Sequence, residues 1–232
     1  MIPKIIHNVG PADRSTWPTE WHVCLASQKK HFKDFEFVFW DDDMMDELVE
    51  KEFPSFLKTW NEYPHVIMKS DMIRPIILYL YGGIYFDLDI YCEENIYSDL
   101  DQDKINIHGS WDSREGHPPL TNAFLASKPK NDYWLKLIES AEERWNGEMG
   151  QTLKTCGPTK YEWSHECFVM VLRLTGPMLL GDLPETQEEN VLNSGKFSVE
   201  YVDNPIKHLC TGSWWNKRKY DNKKISHIPK GH

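Results

Sequence analysis

The chain has 232 residues, 40% of them hydrophobic and 27% charged, with a net charge of −10. That length fits one large domain with its own core, and so acidic a chain lacks the basic footprint of a general nucleic-acid binder. Five cysteines, none in a CxxC pair, make neither a disulfide framework nor a zinc knuckle and point to a reducing compartment. The start, Met1-Ile2-Pro3-Lys4, lacks signal-peptide architecture, and the longest uncharged apolar run, Ile76–Tyr81, falls far short of the ~18 residues that span a membrane. A secreted or membrane-spanning protein is not expected. Aromatic residues reach 13%, with ten Trp, more than a core needs and suited to stacking on flat or ring-shaped ligands.

Lys4–Val9 reads as a short buried strand ended by Gly10-Pro11. Trp17–His31 has helical spacing, and Phe35–Trp40 (FEFVFW) is a second strand that stops at Asp41-Asp42-Asp43. Asp43 is the predicted N-cap of a helix over Met44–Lys51. Strand, helix, strand, helix opens an α/β domain. Within His65–Tyr91, Ile73, Ile76, Ile77 and Leu80 recur at helical spacing. Gly82-Gly83 then closes the helix, and a strand, Ile84–Phe86, leads into Asp87-Leu88-Asp89. Pro75 inside that helix deletes a hydrogen bond and kinks the axis unless it lies in the first turn. Asn106–Gly109 and Ala123–Ala126 read as strands, and Tyr133–Trp145 and Glu166–Leu174 as helices. Thr175-Gly176-Pro177 breaks the second of these, and Val199–Val202 and Ile225–Ile228 read as late strands. With no internal repeat and no low-complexity linker, residues 1–232 are expected to form a single domain.

Asp87 and Asp89, one residue apart, leave a strand on the same side. At the carboxyl end of a strand in an α/β sheet they face the crevice where ligands bind. Two carboxylates there make a hard, oxygen-rich site for Mg²⁺ or Mn²⁺, although the tripeptide alone also fits a solvated strand end. Asp41-Asp42-Asp43 repeats the pattern and is better read as a strand end and helix cap. Asp71 and Arg74, three apart on a helix, share one face. They read either as a surface ion pair worth under about 1 kcal/mol or as a donor site in which Arg74 grips a phosphate or sugar oxygen and Asp71 accepts sugar hydroxyls. Near the end, His208–Trp215 (HLCTGSWW) suits a ligand lid, with His208 a metal ligand and Trp214 closing over a phosphate or sugar. The competing reading is a core tryptophan pair beside a surface histidine.

IPKIIHN, FVFWDDD, SDMIR, YLYGGIYFDLD, TNAFLASKP, LTGP and H…GSW, in that order from Ile2 to Trp214, resemble the DXD-containing sugar transferases of glycosyltransferase family 32. That family is related to the fungal Golgi mannosyltransferases and, more remotely, to the glucosylating clostridial toxins. The resemblance implies an α/β GT-A (nucleotide-diphospho-sugar transferase) fold, a Rossmann-like mixed sheet flanked by helices. It implies a nucleotide-sugar donor (UDP- or GDP-), a divalent ion (Mn²⁺ or Mg²⁺), a glycan or glycoprotein acceptor, and transfer of a hexose with retention. By the same resemblance, His7 and Asn8 end the first strand beside the nucleotide, and Asp71 and Arg74 contact the donor sugar and diphosphate. Asp87 bonds the ribose and reaches the metal mainly through water, Asp89 is the direct metal ligand, and Asn122 sits near the transferred sugar. His208 and Ser213 complete the metal and diphosphate site, with Trp214 over it.

The chain departs from the family pattern at two points. Val9-Gly10-Pro11 stands where relatives often carry a base-stacking Trp, and Pro75 follows the SDxxR arginine directly. The lack of an N-terminal anchor suggests a cytoplasmic, soluble enzyme of bacterial or viral type. Lys217, Arg218 and Lys219 read as a guide for the anionic donor or as a solvated tail. Trp111, His117 and Trp163 read as an acceptor lining or as packing. Two rival functions remain: a non-catalytic glycan or nucleotide-sugar binding module, and a haloacid-dehalogenase-type phosphatase. The phosphatase class carries its DxD on the first strand and needs a GDxxxD pair, whereas here Gly181-Asp182 is followed by Thr186.

Overall fold

In the computed structural model, the residues described are 1–109, 120–156, 165–184, 186, 190–192 and 205–209. The two apolar runs near the start form strands β1 (Ile5–Val9) and β2 (Glu36–Trp40), paired in parallel and joined through helix α1 (Thr19–His31). Helices α2 (Asp42–Glu52), α3 (Leu57–Glu62) and α4 (Val66–Tyr81) follow, and β3 (Gly83–Phe86) then pairs in parallel with the other side of β1. The short β4 (Ile90–Cys92) leaves the main sheet; β5 (Asn106–Gly109) and β6 (Leu120–Ser127) return to it. Helices α5 (Asp132–Asn146), α6 (Glu148–Cys156), α7 (His165–Leu174) and α8 (Pro177–Asp182) precede strands β7 (Asn190–Leu192) and β8 (Ile206–His208).

The main sheet has the order β2-β1-β3-β6-β5-β7 and is mixed, because β6 runs antiparallel to both β3 and β5. A separate antiparallel pair joins β4 to β8. Strand β3 is buried on both faces, as its apolar run requires. Ile84 and Phe86 join Ile6, Phe32, Phe124 and Ile206 in one apolar cluster, while Tyr85 faces the larger cluster of Ile73, Ile76, Ile77, Trp60, Trp134 and Trp145. Part of the aromatic surplus therefore belongs to the core among the described residues. Trp60, Trp134 and Trp145 are among the largest fully buried side chains and fill the core.

Several local expectations shift. The cap of α2 is Asp41 rather than Asp43, its carboxylate accepting from the Met44 amide at 3.0 Å. A 3₁₀ turn at Arg14–Thr16 precedes α1, which starts at Thr19 and not Trp17. The predicted strand Ala123–Ala126 extends over the whole of β6. Pro75 lies well inside α4, so the Asp71 carbonyl four residues back loses its helical donor. Val199–Val202 and Ile225–Ile228 lie outside the described residues. No helix among the described residues is long and apolar enough to cross a membrane.

The α4–β3 corner is made by two glycines with positive φ, +63° at Gly82 and +96° at Gly83. A Cβ on Gly83 would sit 2.6 Å from the Ile5 carbonyl oxygen, so this corner admits no side chain where β3 docks on β1. Gly83→Ala is expected to lower unfolding stability by ~2 kcal/mol or more in chemical denaturation, from backbone strain and the clash together. Wild-type stability would show that the corner can relax.

Candidate active site

Strand β3 ends at Phe86, and the next four residues form a turn in which the Ile90 amide donates to the Asp87 carbonyl at 3.1 Å. The Asp87 amide donates to the Ala123 carbonyl at 2.8 Å, tying the turn to β6. Leu88 packs inward against Gly10, where an added Cβ would approach the Leu88 Cδ1 to 2.6 Å. The two aspartates thus project from a turn rather than from a strand. The Leu209 amide donates to the Asp89 carbonyl at 3.0 Å and brings the end of β8 alongside. His208 Nε2 lies 3.3 Å from Asp89 Oδ1. One ligating atom each from Asp87, Asp89 and His208 fall within 4.8 Å of one another. Two carboxylates and an imidazole are a donor set that fits Mn²⁺ or Mg²⁺.

Helix α4 supplies the rest of the site. The Asp71 and Arg74 side chains are each only 6% exposed, with Arg74 Nη1 3.4 Å from Asp71 Oδ1, so the surface-ion-pair reading fails. Arg74 Nη2 lies 3.1 Å from Asp87 Oδ1, and Arg74 Nη1 donates to the Asn122 carbonyl at 3.0 Å. The guanidinium also sits 4.9 Å from the centre of the Tyr85 ring. Its Nε is buried and has no hydrogen-bond partner among the described residues, a donor left over beside the carboxylates. The Asn122 amide donates to Asp71 Oδ1 at 2.8 Å, and the Thr175 hydroxyl donates to Asp71 Oδ2 at 3.3 Å. The Tyr85 hydroxyl donates to Asp87 Oδ1 at 2.6 Å. Thr175 and Tyr85 escaped the sequence reading. Thr175 stands in the LTGP segment, read as a helix break and a family marker with no role for the threonine, and Tyr85 in the strand Ile84–Phe86.

The charges follow from burial. Burial pushes the Asp71 carboxyl up to about 6, against the pull of Arg74 and the Asn122 and Thr175 hydrogen bonds. Burial also raises Asp87; Arg74 opposes that rise and the nearby Asp89 adds to it. Burial alone would lower the Arg74 pKa, but the Asp87 carboxylate, with Tyr85 and Asp71, raises it instead. A permanently charged guanidinium sits between two carboxylates of weakened acidity.

Asp71, Arg74, Asn122, Asp87, Asp89 and His208 are therefore brought together. His7 and Asn8 are not part of this group. His7 is 1% exposed, its Nδ1 accepting from Trp40 Nε1 at 3.2 Å and its Nε2 donating to the Gly82 carbonyl at 3.0 Å. Burial lowers its pKa to about 4, so it is a neutral imidazole with both nitrogens engaged inside the sheet. The Asn8 amide donates to the Phe86 carbonyl at 2.9 Å and to Gln28 Oε1 at 3.0 Å. Ser213, Trp214, Trp111, His117, Trp163, Lys217, Arg218 and Lys219 lie outside the described residues.

Residues 18–111 match the family described as the glycosyltransferase sugar-binding region containing DXD motif. Asp87-Leu88-Asp89 lies inside the matched segment, which covers less than half of the chain. The chain is 30% identical over 139 residues to inositol phosphoceramide mannosyltransferase 3 of Schizosaccharomyces pombe, across 60% of this chain and 37% of that protein. It is 26% identical over 202 residues to inositol phosphoceramide mannosyltransferase 2 of the same yeast, across 85% of this chain and 50% of that protein. The chain thus spans half or less of the length of these relatives. Among solved structures, it resembles the ligand-free glycosyltransferase domain from the YGT toxin, with a TM-score of 0.54 at 11% identity, over 81% of this chain and 78% of that one. The fold is the GT-A type.

Because the folded Asp71 pKa lies above the ordinary 3.8, its contribution to stability is fully present below pH 3.8 and is lost as pH rises through about 6. In metal-free buffer, Asp71→Asn is expected to flatten the fall in melting temperature between pH 4 and pH 7. An unchanged pH profile would show that Asp71 titrates as an ordinary carboxylate.

Proposed function

We propose that residues 1–232 act as one catalytic domain, a metal-dependent retaining glycosyltransferase moving a hexose from a UDP- or GDP-sugar to a glycan or glycoprotein acceptor. The observation that carries this reading is the buried Arg74, held between Asp71 and Asp87 with its Nε unpartnered among the described residues, beside the Asp87–Asp89–His208 group. A nucleoside diphosphate leaves only when its growing charge is neutralised, and a divalent ion held by Asp87, Asp89 and His208 would supply part of that neutralisation. Arg74 binds the diphosphate oxygens through the Nε that has no partner among the described residues and an adjoining Nη, a paired contact that a planar guanidinium suits. Asp71 accepts sugar hydroxyls, and Asn122 fixes its orientation from the side of the transferred sugar.

Asp71 already accepts from Asn122 and Thr175 and stands against Arg74. A carboxylate so engaged is a poor nucleophile, which supports transfer on the face that the diphosphate leaves, with the leaving phosphate assisting the acceptor hydroxyl. The mannosyltransferase names of the two yeast proteins favour mannosyl donors as the first to test. The buried, unbridged thiols of Cys24 and Cys92 support a cytoplasmic, reducing setting.

A thermal-shift screen of UDP- and GDP-sugars, with and without Mn²⁺, tests the reading on wild type and Asp89→Ala. At a hundredfold excess over its dissociation constant a ligand adds ~2.7 kcal/mol of stability. The expected result is a shift for one nucleotide-sugar that requires Mn²⁺ and disappears in Asp89→Ala. Stabilisation by simple glycans alone, with no response to any donor, would replace the transferase reading with a binding module.

A further inference from the structure

The Asp87–Ile90 turn has a second set of holders, and they lie away from the donor side. Gln28 is fully buried on α1, in a stretch, Ser27-Gln28-Lys29-Lys30, that reads as a polar helix face. A buried amide is costly unless its hydrogen bonds are made, and here both ends of it are used. Its Nε2 donates to the Ile90 carbonyl at 2.9 Å and to the Asp87 carbonyl at 3.3 Å, the two ends of the one turn. Its Oε1 accepts from Asn8 Nδ2 at 3.0 Å, and Asn8 Nδ2 also donates to the Phe86 carbonyl at 2.9 Å, the residue just before the turn. Next to it, Ser27 Oγ donates to the Cys24 carbonyl at 2.7 Å and accepts from the Cys92 amide at 3.0 Å, just beyond the turn. Side chains of α1 and β1 therefore grip the backbone at Phe86, Asp87, Ile90 and Cys92.

We infer that Gln28, oriented by Asn8, is a positioning residue for the metal site: it fixes the turn whose shape decides whether Asp87 and Asp89 face His208 together. Gln28 touches no carboxylate of the site. It acts on the carbonyls of the segment from which those carboxylates project. Groups that orient metal ligands without touching the metal typically change affinity by about 10- to 100-fold when removed. Asn8, expected from the family resemblance to stand beside the nucleotide, here has its amide nitrogen in this clamp. The inference rests on the proposed metal site, and its test separates the two.

The test is Mn²⁺ binding without any donor, read from the electron paramagnetic resonance of free Mn²⁺, on protein shown to be folded by circular dichroism. The variants are Gln28→Met, of similar length without the amide, Asn8→Ala, Asp89→Ala and Asn106→Ala. Asn106 is an equally buried amide that donates to the Asp101 and Lys104 carbonyls, away from the turn, and it controls for loss of stability alone. The expected result is an Mn²⁺ affinity about tenfold weaker in Gln28→Met, threefold or more weaker in Asn8→Ala, abolished in Asp89→Ala and unchanged in Asn106→Ala. If Gln28→Met does not fold, Asn8→Ala against Asn106→Ala decides the question. Wild-type affinity in the clamp variants, with binding lost in Asp89→Ala, would overturn the inference and leave the metal site standing. Equal weakening in Asn106→Ala would reduce Gln28 to a general stabiliser and overturn it too. Absence of Mn²⁺ binding by wild type would overturn the metal reading and the inference together.

Discussion

The site depends on a guanidinium buried between two carboxylates. Arg74 meets Asp71 and Asp87 with its side chain 6% exposed. Breaking such a pair by removing one partner typically costs roughly 3–5 kcal/mol, because the other charge is stranded out of water. The carboxylates are therefore held for the arginine as much as the arginine for them. The arrangement is also incomplete in a directed way. Asp71 is fully occupied by Asn122, Thr175 and Arg74, yet Arg74 keeps a buried Nε with no partner among the described residues. A buried cation beside the Asp87–Asp89–His208 group, with a donor to spare among the described residues, supports the proposed diphosphate contact.

The rest of the fold serves to bring four distant segments to that cation. The paired glycines let α4 turn straight into β3, so that Asp71 and Arg74 lie beside the end of the strand carrying Asp87. Strand β6, antiparallel to β3, sets Asn122 next to both. The α7–α8 corner delivers Thr175, and the small β4–β8 pair carries His208 to Asp89. The clamp from Asn8 and Gln28 closes the turn from the opposite side. Each contact joins residues far apart in the chain, so the site exists only in the folded state.

How much of this can be read in the sequence follows from the range of the forces involved. Strands β1 and β2, the end of helix α4 and the glycine corner are written in local apolar periodicity and turn chemistry, and they stand within a residue or two of expectation, whereas the start of α4 at Val66 had no local signal. The cap moved from Asp43 to Asp41 because three consecutive aspartates offer equivalent acceptors and only the helix start selects among them. Helix α3 (LKTWNE) and the three-residue strand at His208 are too short for any period to show. The spacing of Asp71 and Arg74 was legible, but their burial was not, since burial depends on β3, β6 and the α7–α8 corner closing over them. His7 looked like a ligand contact because its family motif is visible. Its two ring hydrogen bonds, to Gly82 and Trp40, arise only when β1 docks against its neighbours. Gln28 gave no signal at all, because an amide among lysines on a helix reads as solvated surface.

In the proposed function the Arg74 guanidinium forms the diphosphate site through its shape as well as its charge. The most direct measurement is the affinity of UDP and GDP for Arg74→Lys and wild type, by calorimetry at saturating Mn²⁺. Lysine keeps the positive charge beside Asp71 and Asp87 but loses the planar fork and its spare Nε donor. The nucleotide bound by wild type is expected to bind at least about tenfold more weakly to Arg74→Lys, one missing charge-assisted hydrogen bond being worth roughly 1.5–3 kcal/mol. Equal affinity in the two proteins would mean that the diphosphate is held elsewhere and that the buried arginine is structural.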